Sequence, residues 1–275
     1  MKGVNPFKWL LIPLAVLILS GNVFGLTELK KIVKPGTHFT GAIPQVQYFG
    51  VEAFSETDNV WRMYQYQVRV SPKTRGLDLE YQGDGFTGEA HYTGELQFIN
   101  LEFIYTNQDL IKKNGYERVT VTVAPDQSHK KVAYYLSGKV KETKDVAFTT
   151  EAFEKTVLGY LLQSMLNKGF NGFNANVDLG KMALNMDFNL VDSANILTRA
   201  SGYELPDKFK TFAKASGPVK VYTIKPTGMV GLFFQNKFYY AFEQKPPFRP
   251  LAYWGGPQNE AEFQIFRVQS EKGKK

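Results

Sequence analysis

The sequence predicts a mainly β fold, in which a curved antiparallel sheet, a half-barrel or a barrel, wraps around one central helix. Segments with period-two alternation of apolar and polar residues recur along the chain, and turn residues separate them about every ten residues. One long stretch, residues 149–168, has the period of a helix instead. No linker, low-complexity tract or repeat divides the chain, so residues 26–275 are predicted to form a single β-rich domain.

The predicted helix, residues 149–168, carries start and stop signals of its own. Thr150 can serve as the N-cap, acidic residues follow in the first turn, and Gly169 stands where a left-handed residue ends many helices. The apolar residues cover well over half of its circumference, which is wider than a surface helix needs. A curved sheet would cover such a helix on several sides, and a helix lying across a flat sheet is the alternative. The side predicted to face water carries Thr156, Gly159, Gln163 and Asn167.

Alternating residues predict the strands of the sheet. Asn114-Gly115 is predicted to be a tight turn, and the charged run 141–145 a connector. After the helix, the Gly- and Asn-rich residues 169–176 are predicted to be a loop, and residues 206–214 a short amphipathic helix or turn. The predicted strands are residues 47–54, 62–70, 77–82, 89–105, 116–123, 132–140, 177–190, 218–225, 229–234, 238–242, 251–254 and 262–268.

The first 25 residues have the pattern of a secretory signal. Lys2 and Lys8 precede an apolar run over residues 9–19, and Val23 and Gly25 are acceptable before a cleavage site at Leu26. The run is short for a membrane span, so we expect a cleaved protein that is exported to the bacterial periplasm. A protein that stays anchored in the membrane by an uncleaved signal is the alternative.

Composition excludes several classes of function. The chain has no cysteine, which excludes disulfides, thiolate catalysis and cysteine–zinc sites. Its formal net charge of +7 comes from lysines and arginines that are spread along the chain. Because nucleic-acid binding needs a denser basic stripe or a recognisable motif, no nucleic-acid partner is predicted.

No residue pattern predicts a catalytic or metal site. The three histidines, His38, His91 and His129, lack the spacing of metal ligands and are predicted to lie on the surface. No nucleophile elbow or phosphate-binding loop occurs, and no cofactor is predicted. Asp78 and Glu80 share one strand face, but they alternate with apolar residues as ordinary solvent-facing positions do.

The aromatic residues of the strands and the apolar residues of the helix are the better functional candidates. Packing of a filled core would explain them, but part of the interior between sheet and helix can instead stay open as an apolar groove. We expect a lipid or another long apolar ligand there, residues 169–176 as a lid, and lysines near the mouth for an anionic headgroup. The predicted ligand-binding residues are Tyr64, Tyr66, Phe103, Tyr105, Phe153, Val157, Leu158, Leu161, Leu162 and Met165.

The C-terminal part of the chain carries a family resemblance. Residues 216–226, SGPVKVYTIKP, precede a predicted hairpin with Tyr239-Tyr240, and PFRP at residues 247–250 and the segment 251–268 follow. This order, together with the strand at residues 62–70, is similar to exported bacterial proteins that carry domain of unknown function 3108. The resemblance implies an envelope protein with a curved antiparallel sheet and no catalytic motif.

A non-catalytic role in the bacterial cell envelope is therefore predicted, with binding of a lipid or another long apolar molecule between sheet and helix. An envelope protein is a further possible partner. An enzyme that acts on envelope glycan or lipid, and an outer-membrane β-barrel, are the alternatives.

Overall fold

The computed structural model describes residues 30–36, 43–71, 76–179, 182–200, 202–228, 237–256 and 260–270. Within these ranges the protein is mainly β, with sixteen strands in one sheet and three α-helices. The prediction of a mainly β, antiparallel fold is confirmed, whereas the prediction of a single helix is not. The predicted signal at residues 1–25 and the predicted strand at residues 229–234 lie outside the described residues.

The helices are α1 (Gln108–Asn114), α2 (Leu158–Asn167) and α3 (Asp207–Ala215). The first nine strands are β1 (Ile32–Val33), β2 (Val46–Ser55), β3 (Val60–Val70), β4 (Leu77–Gly83), β5 (Phe86–Tyr92), β6 (Phe98–Tyr105), β7 (Arg118–Val123), β8 (His129–Leu136) and β9 (Lys139–Ala147). The remaining strands are β10 (Ala152–Glu154), β11 (Gly172–Asp178), β12 (Ala183–Ser193), β13 (Val219–Pro226), β14 (Phe238–Glu243), β15 (Pro250–Gly255) and β16 (Glu262–Gln269).

The sheet is built from two runs of antiparallel neighbours. Strands β2 to β9 follow each other in chain order, and so do β11 to β16. The last strand, β16, pairs with β2 and joins the two runs, so residues from both ends of the chain meet in the middle of the sheet. At the far edge, β1 and β10 pair in parallel with successive parts of β11.

A buried ion pair connects the two ends of this sheet. The ammonium of Lys130 on β8 lies 2.6 Å from the Asp178 carboxylate on β11, and their side chains are only 4% and 7% exposed. Since β8 and β11 are each next to an edge strand, the sheet must bend until its ends approach each other. Among the described residues no strand pairing joins β9 to β1 or β10, so the sheet stays open.

The two faces of the sheet belong to two separate hydrophobic cores. Alternation along β13 shows the division, because Tyr222 and Ile224 join the larger core and Val219 and Val221 the smaller one. The larger core contains α2 together with residues of strands from both runs. The smaller core packs α3 onto β13–β16 through Phe209 and its neighbours. The predicted amphipathic helix at residues 206–214 is confirmed as α3.

The helix predicted over residues 149–168 is shorter than expected. Residues 152–154 form strand β10, in which Phe153 is opposite Val177 of β11, and one 3-10 turn leads into α2. The backbone N–H and C=O groups of residues 152–154 are satisfied by pairing with β11 and not by helical hydrogen bonds. This strand pairing outweighs the helical pattern of the side chains. The predicted N-cap at Thr150 is therefore wrong, and the Glu154 side chain caps the 3-10 turn instead. The predicted end at Gly169 is confirmed, with a left-handed φ of +76°.

The segment at residues 169–176 is not a lid. Most of it belongs to β11, where Phe173 is fully buried and stacks on Phe188 of β12 with ring centroids 4.5 Å apart. The many glycine and asparagine residues suggested a loop, but Phe173, Ala175 and Val177 alternate and fill the core, which decides the conformation. The lid prediction is wrong for this reason.

Other boundaries also differ from the predictions. The strand predicted at residues 132–140 is divided between β8 and β9, and the one predicted at residues 177–190 is divided between β11 and β12. The charged run at residues 141–145 is part of edge strand β9, whose polar side chains suit a strand that lacks a partner on one side. Asn114-Gly115 ends helix α1 rather than a hairpin, with Gly115 in the left-handed region at φ 75°. The predicted strand at residues 89–105 is divided into β5 and β6 by a turn in which the Thr93 N–H donates to Gln97.

Candidate ligand-binding cavity

A cavity of about 440 Å³ lies between the start of α2 and the sheet. Its walls come from β2, β3, β4 and β6 on one side and from β13–β16 on the other. Across from them lie six residues of the helical segment: Lys155, Thr156, Leu158, Gly159, Tyr160 and Gln163. The volume falls in the range of roughly 300–1,000 Å³ that is usual for small-molecule sites. The cavity therefore lies inside the larger core, at the junction of the two runs of strands.

Aromatic side chains are the largest group of residues in the wall. Their rings lie close together along the sheet, with Tyr66 stacked on Tyr81 at 5.1 Å between centroids and Tyr240 at 4.9 Å from Tyr253. These contacts link neighbouring strands in the way that cross-strand aromatic pairs usually do. The aromatic residues that line the cavity are Phe49, Tyr64, Tyr66, Tyr81, Phe103, Tyr160, Phe238, Tyr240, Tyr253 and Phe266.

The tyrosine hydroxyls of this wall differ from those of two tyrosines outside the cavity, which are hydrogen-bonded. Elsewhere the hydroxyls of Tyr222 and Tyr203 donate to backbone carbonyls at 2.7 and 2.6 Å. In the cavity, five hydroxyls have no hydrogen-bond partner among the described residues. None of these five oxygen atoms is completely buried. They therefore keep accessible surface, which the cavity supplies. The five tyrosines are Tyr64, Tyr66, Tyr81, Tyr240 and Tyr253.

Burial keeps these phenols neutral at alkaline pH as well as at neutral pH. It raises the pKa of Tyr66 and Tyr81 well above the ordinary value, and the neighbouring tyrosines add to the shift. Burial also raises the pKa of Tyr64, Tyr240 and Tyr253, and there the Glu262 carboxylate contributes to the increase. At neutral pH the wall thus offers uncharged hydroxyl groups that can donate and accept hydrogen bonds.

Alkaline pH is expected to destabilise the protein through these groups. The unfolded chain loses its tyrosine protons near pH 10, whereas the folded cavity retains them, so the free energy of unfolding should fall as pH rises above about 10. Ultraviolet titration of phenolate formation, followed alongside circular dichroism, measures this. We expect the cavity tyrosines to ionise only as the protein unfolds. Ionisation of every tyrosine near pH 10 with the fold intact would contradict the burial argument.

The narrow polar side of the helix faces the cavity, not bulk water. Thr156, Gly159 and Gln163 all line it. Gln163 is only 2% exposed and forms a reciprocal amide pair with Gln47 of β2, with both donor–acceptor distances 3.1 Å. The prediction that Gln163 faces water is therefore wrong. Polarity on this side instead reflects a buried hydrogen-bonded contact between helix and sheet.

The residues that we predicted to bind ligand occupy two different environments. Tyr64, Tyr66, Phe103 and Leu158 line the cavity. Tyr105 does not line it, but its ring stacks beside Phe103, and burial raises its pKa to about 12. The other five are at most 1% exposed, pack in the larger core and do not line the cavity: Phe153, Val157, Leu161, Leu162 and Met165.

Several lining residues were not among those predicted, and strand pairing explains why. Tyr81 lies opposite Tyr66 in the β3–β4 register, and Tyr240 lies opposite Tyr222 in the β13–β14 register. Tyr253 is opposite Tyr240 across the next pair. Their alternation was visible in the sequence, but the register that brings them to one place was not.

Exposed charged residues mark the mouth of the cavity. Of the lining residues, Lys155 is basic and Glu260 and Glu262 are acidic, and all three are exposed. Among the described lining residues, Lys155 is the one lysine near the mouth, and acidic side chains outnumber basic ones.

The described residues give little support for a metal site or a membrane-spanning helix. They contain no group of three or more metal-ligating side chains, and none of their helices is long and apolar enough to cross a membrane. His91 lies 2.8 Å from Asp78 at a partly exposed strand position, and His129 is also partly exposed. His38 lies outside the described residues.

Comparisons with known proteins give a structural similarity at low sequence identity. No family model and no curated protein matches the chain. Among solved structures, the chain is similar to a beta-barrel-like protein of domain of unknown function DUF1849 from Brucella abortus, with a TM-score of 0.47 and 9% sequence identity. That likeness covers 83% of this chain and 100% of the other.

Proposed function

We propose that this chain is a non-catalytic binding protein of the bacterial envelope, in which the sheet wraps around α2 and holds a long apolar ligand, such as a lipid acyl chain, between sheet and helix. One observation carries the proposal. The interior is densely packed around Leu161 and Phe173, yet an aromatic-lined space of about 440 Å³ stays open on one side of the helix. Close-packed cores rarely retain a space of this size without a use for it.

Hydrogen bonds that fix the position of α2 support a cavity that stays open. The Gln163 amide donates to the Pro247 carbonyl at 2.8 Å and pairs with Gln47, while Asn167 donates to the same carbonyl at 3.3 Å. These bonds hold the helix at a fixed distance from the sheet. Gly159 faces the space between them without a side chain, which leaves room there.

A substitution at Gly159 tests this function directly. A Cβ at this position would lie 3.6 Å from the Tyr240 ring, an ordinary contact, so a larger side chain would extend into the cavity. We expect Gly159→Phe to remove copurifying lipid from protein isolated from its own envelope. Native mass spectrometry and lipid extraction of the purified protein measure this.

The matched control is Gly159→Ala, which adds one methyl group. It should retain the ligand and raise the free energy of unfolding by about 0.5–1 kcal/mol, because alanine favours the helix over glycine. Lipid bound equally by the wild type and by Gly159→Phe, with both folded, would place the ligand elsewhere. No lipid on the wild type, with a dry cavity, would refute the proposed function.

Export to the periplasm is part of the same proposal. It is supported by the signal pattern at residues 1–25 and by the absence of cysteine. The resemblance to domain of unknown function 3108 points to the same compartment and stays a prediction. Mass spectrometry of the exported protein should find Leu26 or a near neighbour as the N-terminus. Retention of residues 1–25 in a membrane fraction would favour an anchored protein instead.

A further inference from the structure

The free hydroxyls of the cavity carry information about the ligand beyond its apolar chain. Tyr66 is 9% exposed, and its hydroxyl has no partner among the described residues although it lies within the larger core. The hydroxyls of Tyr64, Tyr81, Tyr240 and Tyr253 also lack a partner among the described residues, and these four side chains are partly buried against the same core. Polar groups at such depth are normally hydrogen-bonded. A purely hydrocarbon ligand that displaced the water of the cavity would leave all of them unpaired.

The arrangement of the rings determines what the tyrosines can offer. The Tyr66 and Tyr81 rings are stacked with 26° between their planes, and the Tyr81 ring centroid is also 5.6 Å from that of Phe103. Tyr240 is stacked on Phe242 at 6.0 Å. A neighbouring ring therefore covers one face of each of these rings, which reduces the aromatic surface that a cation could contact. The hydroxyl groups remain available instead.

Charge at the mouth argues against an anionic ligand. Glu260 and Glu262 line the cavity with Lys155 as the one basic residue among its described lining residues. A carboxylate or phosphate bound close to these two acidic side chains would be repelled by them. A group without charge avoids that repulsion and can still accept hydrogen bonds from the tyrosines.

We infer that the ligand is an uncharged amphiphile, whose polar part carries oxygen acceptors such as an ester or a glycerol group and lies among the hydroxyls of Tyr64, Tyr66, Tyr81, Tyr240 and Tyr253. This inference rests on the proposed function and adds the chemical class of the ligand. The apolar chain would then lie against the phenylalanine rings of the wall, which include Phe49, Phe103 and Phe266.

Three probes with the same alkyl chain length separate the possibilities. Monolauroylglycerol is uncharged and bears ester and hydroxyl oxygens, laurate is anionic, and dodecyltrimethylammonium is cationic. Each is titrated below its micellar concentration into the delipidated protein by isothermal calorimetry. We expect monolauroylglycerol to bind about tenfold or more tightly than either charged probe.

Variants show whether the hydroxyls are responsible. Tyr66→Phe keeps the ring and removes the hydroxyl, and should weaken monolauroylglycerol binding roughly two- to tenfold, the effect of one hydrogen bond. Tyr81→Phe should act in the same way. Tyr134→Phe, outside the cavity, is the matched control and should leave the affinity unchanged. Glu262→Gln should reduce the difference in affinity between laurate and monolauroylglycerol, because it removes the repulsion between the Glu262 carboxylate and the laurate carboxylate.

The outcomes distinguish this inference from the proposed function. Equal affinity for the three probes, or tightest binding of laurate or of the ammonium probe, would overturn the inference while the binding function stands. Unchanged affinity in both Tyr66→Phe and Tyr81→Phe would also overturn it. No binding of any probe to the folded wild type would overturn the proposed function together with the inference.

Discussion

Replacing Leu161 by glutamate is expected to abolish cooperative folding. Leu161 is 0% exposed and sits in the middle of α2, where residues 160–166 are all buried in the larger core. The change loses about 1.5–3 kcal/mol of side-chain burial and adds the larger cost of a carboxylate in an apolar site. Because native proteins are stable by only about 5–15 kcal/mol, we expect a severe loss of thermal stability in circular dichroism.

A leucine-to-glutamate change at an exposed position provides the control. Leu136 is 38% exposed at the end of β8, so Leu136→Glu should change the free energy of unfolding by no more than about 0.5 kcal/mol. Comparable stability of the Leu161→Glu variant and the wild type would mean that the helix is not enclosed by the sheet. The container on which ligand binding depends would then not exist.

Removing the Lys130 charge is expected to give the second large loss of stability. In Lys130→Met, the Asp178 carboxylate stays buried without its ammonium partner at 2.6 Å, which typically costs about 3–5 kcal/mol. The same ammonium lies 5.6 Å above the Phe98 ring, so it also contributes to packing. Chemical denaturation of the variant measures the loss.

A double replacement separates the ion pair from general packing. Lys130→Met combined with Asp178→Leu removes both charges and should recover most of the stability, since apolar residues often replace a buried pair without loss. Lys144→Met, in an exposed pair with Glu142, should leave the denaturation midpoint unchanged. If the single Lys130→Met variant were as stable as the wild type, the stability of the protein would not depend on this contact between the two ends of the sheet.

Local patterns predicted the strands well because side chains alternate between two faces that have different environments. The segment at residues 62–70 became β3 with Tyr66 and Val68 in the core, and the segment at residues 218–225 became β13. Alternation also favoured an antiparallel sheet. Strand positions depend on residues that are close together in the sequence, so they can be predicted from the sequence alone.

The site depended on contacts between distant residues, which alternation does not specify. Gln163 looked solvent-facing because glutamine usually is, but its partner Gln47 lies 116 residues earlier in the chain. The same holds for Lys130 and Asp178, whose pairing connects the ends of the sheet. Phe153 had the spacing of a helical stripe, yet pairing with β11 placed it in a strand. In each case long-range packing determined the result.

A crystal structure of the protein purified from its own envelope, without added lipid, tests the central claim most directly. We predict continuous electron density for an elongated ligand between Tyr66, Tyr240 and the start of α2, with its polar atoms within hydrogen-bond distance of the tyrosine hydroxyls. A cavity that holds only ordered water, or side chains that close it, would contradict the proposal that this protein binds a long apolar ligand.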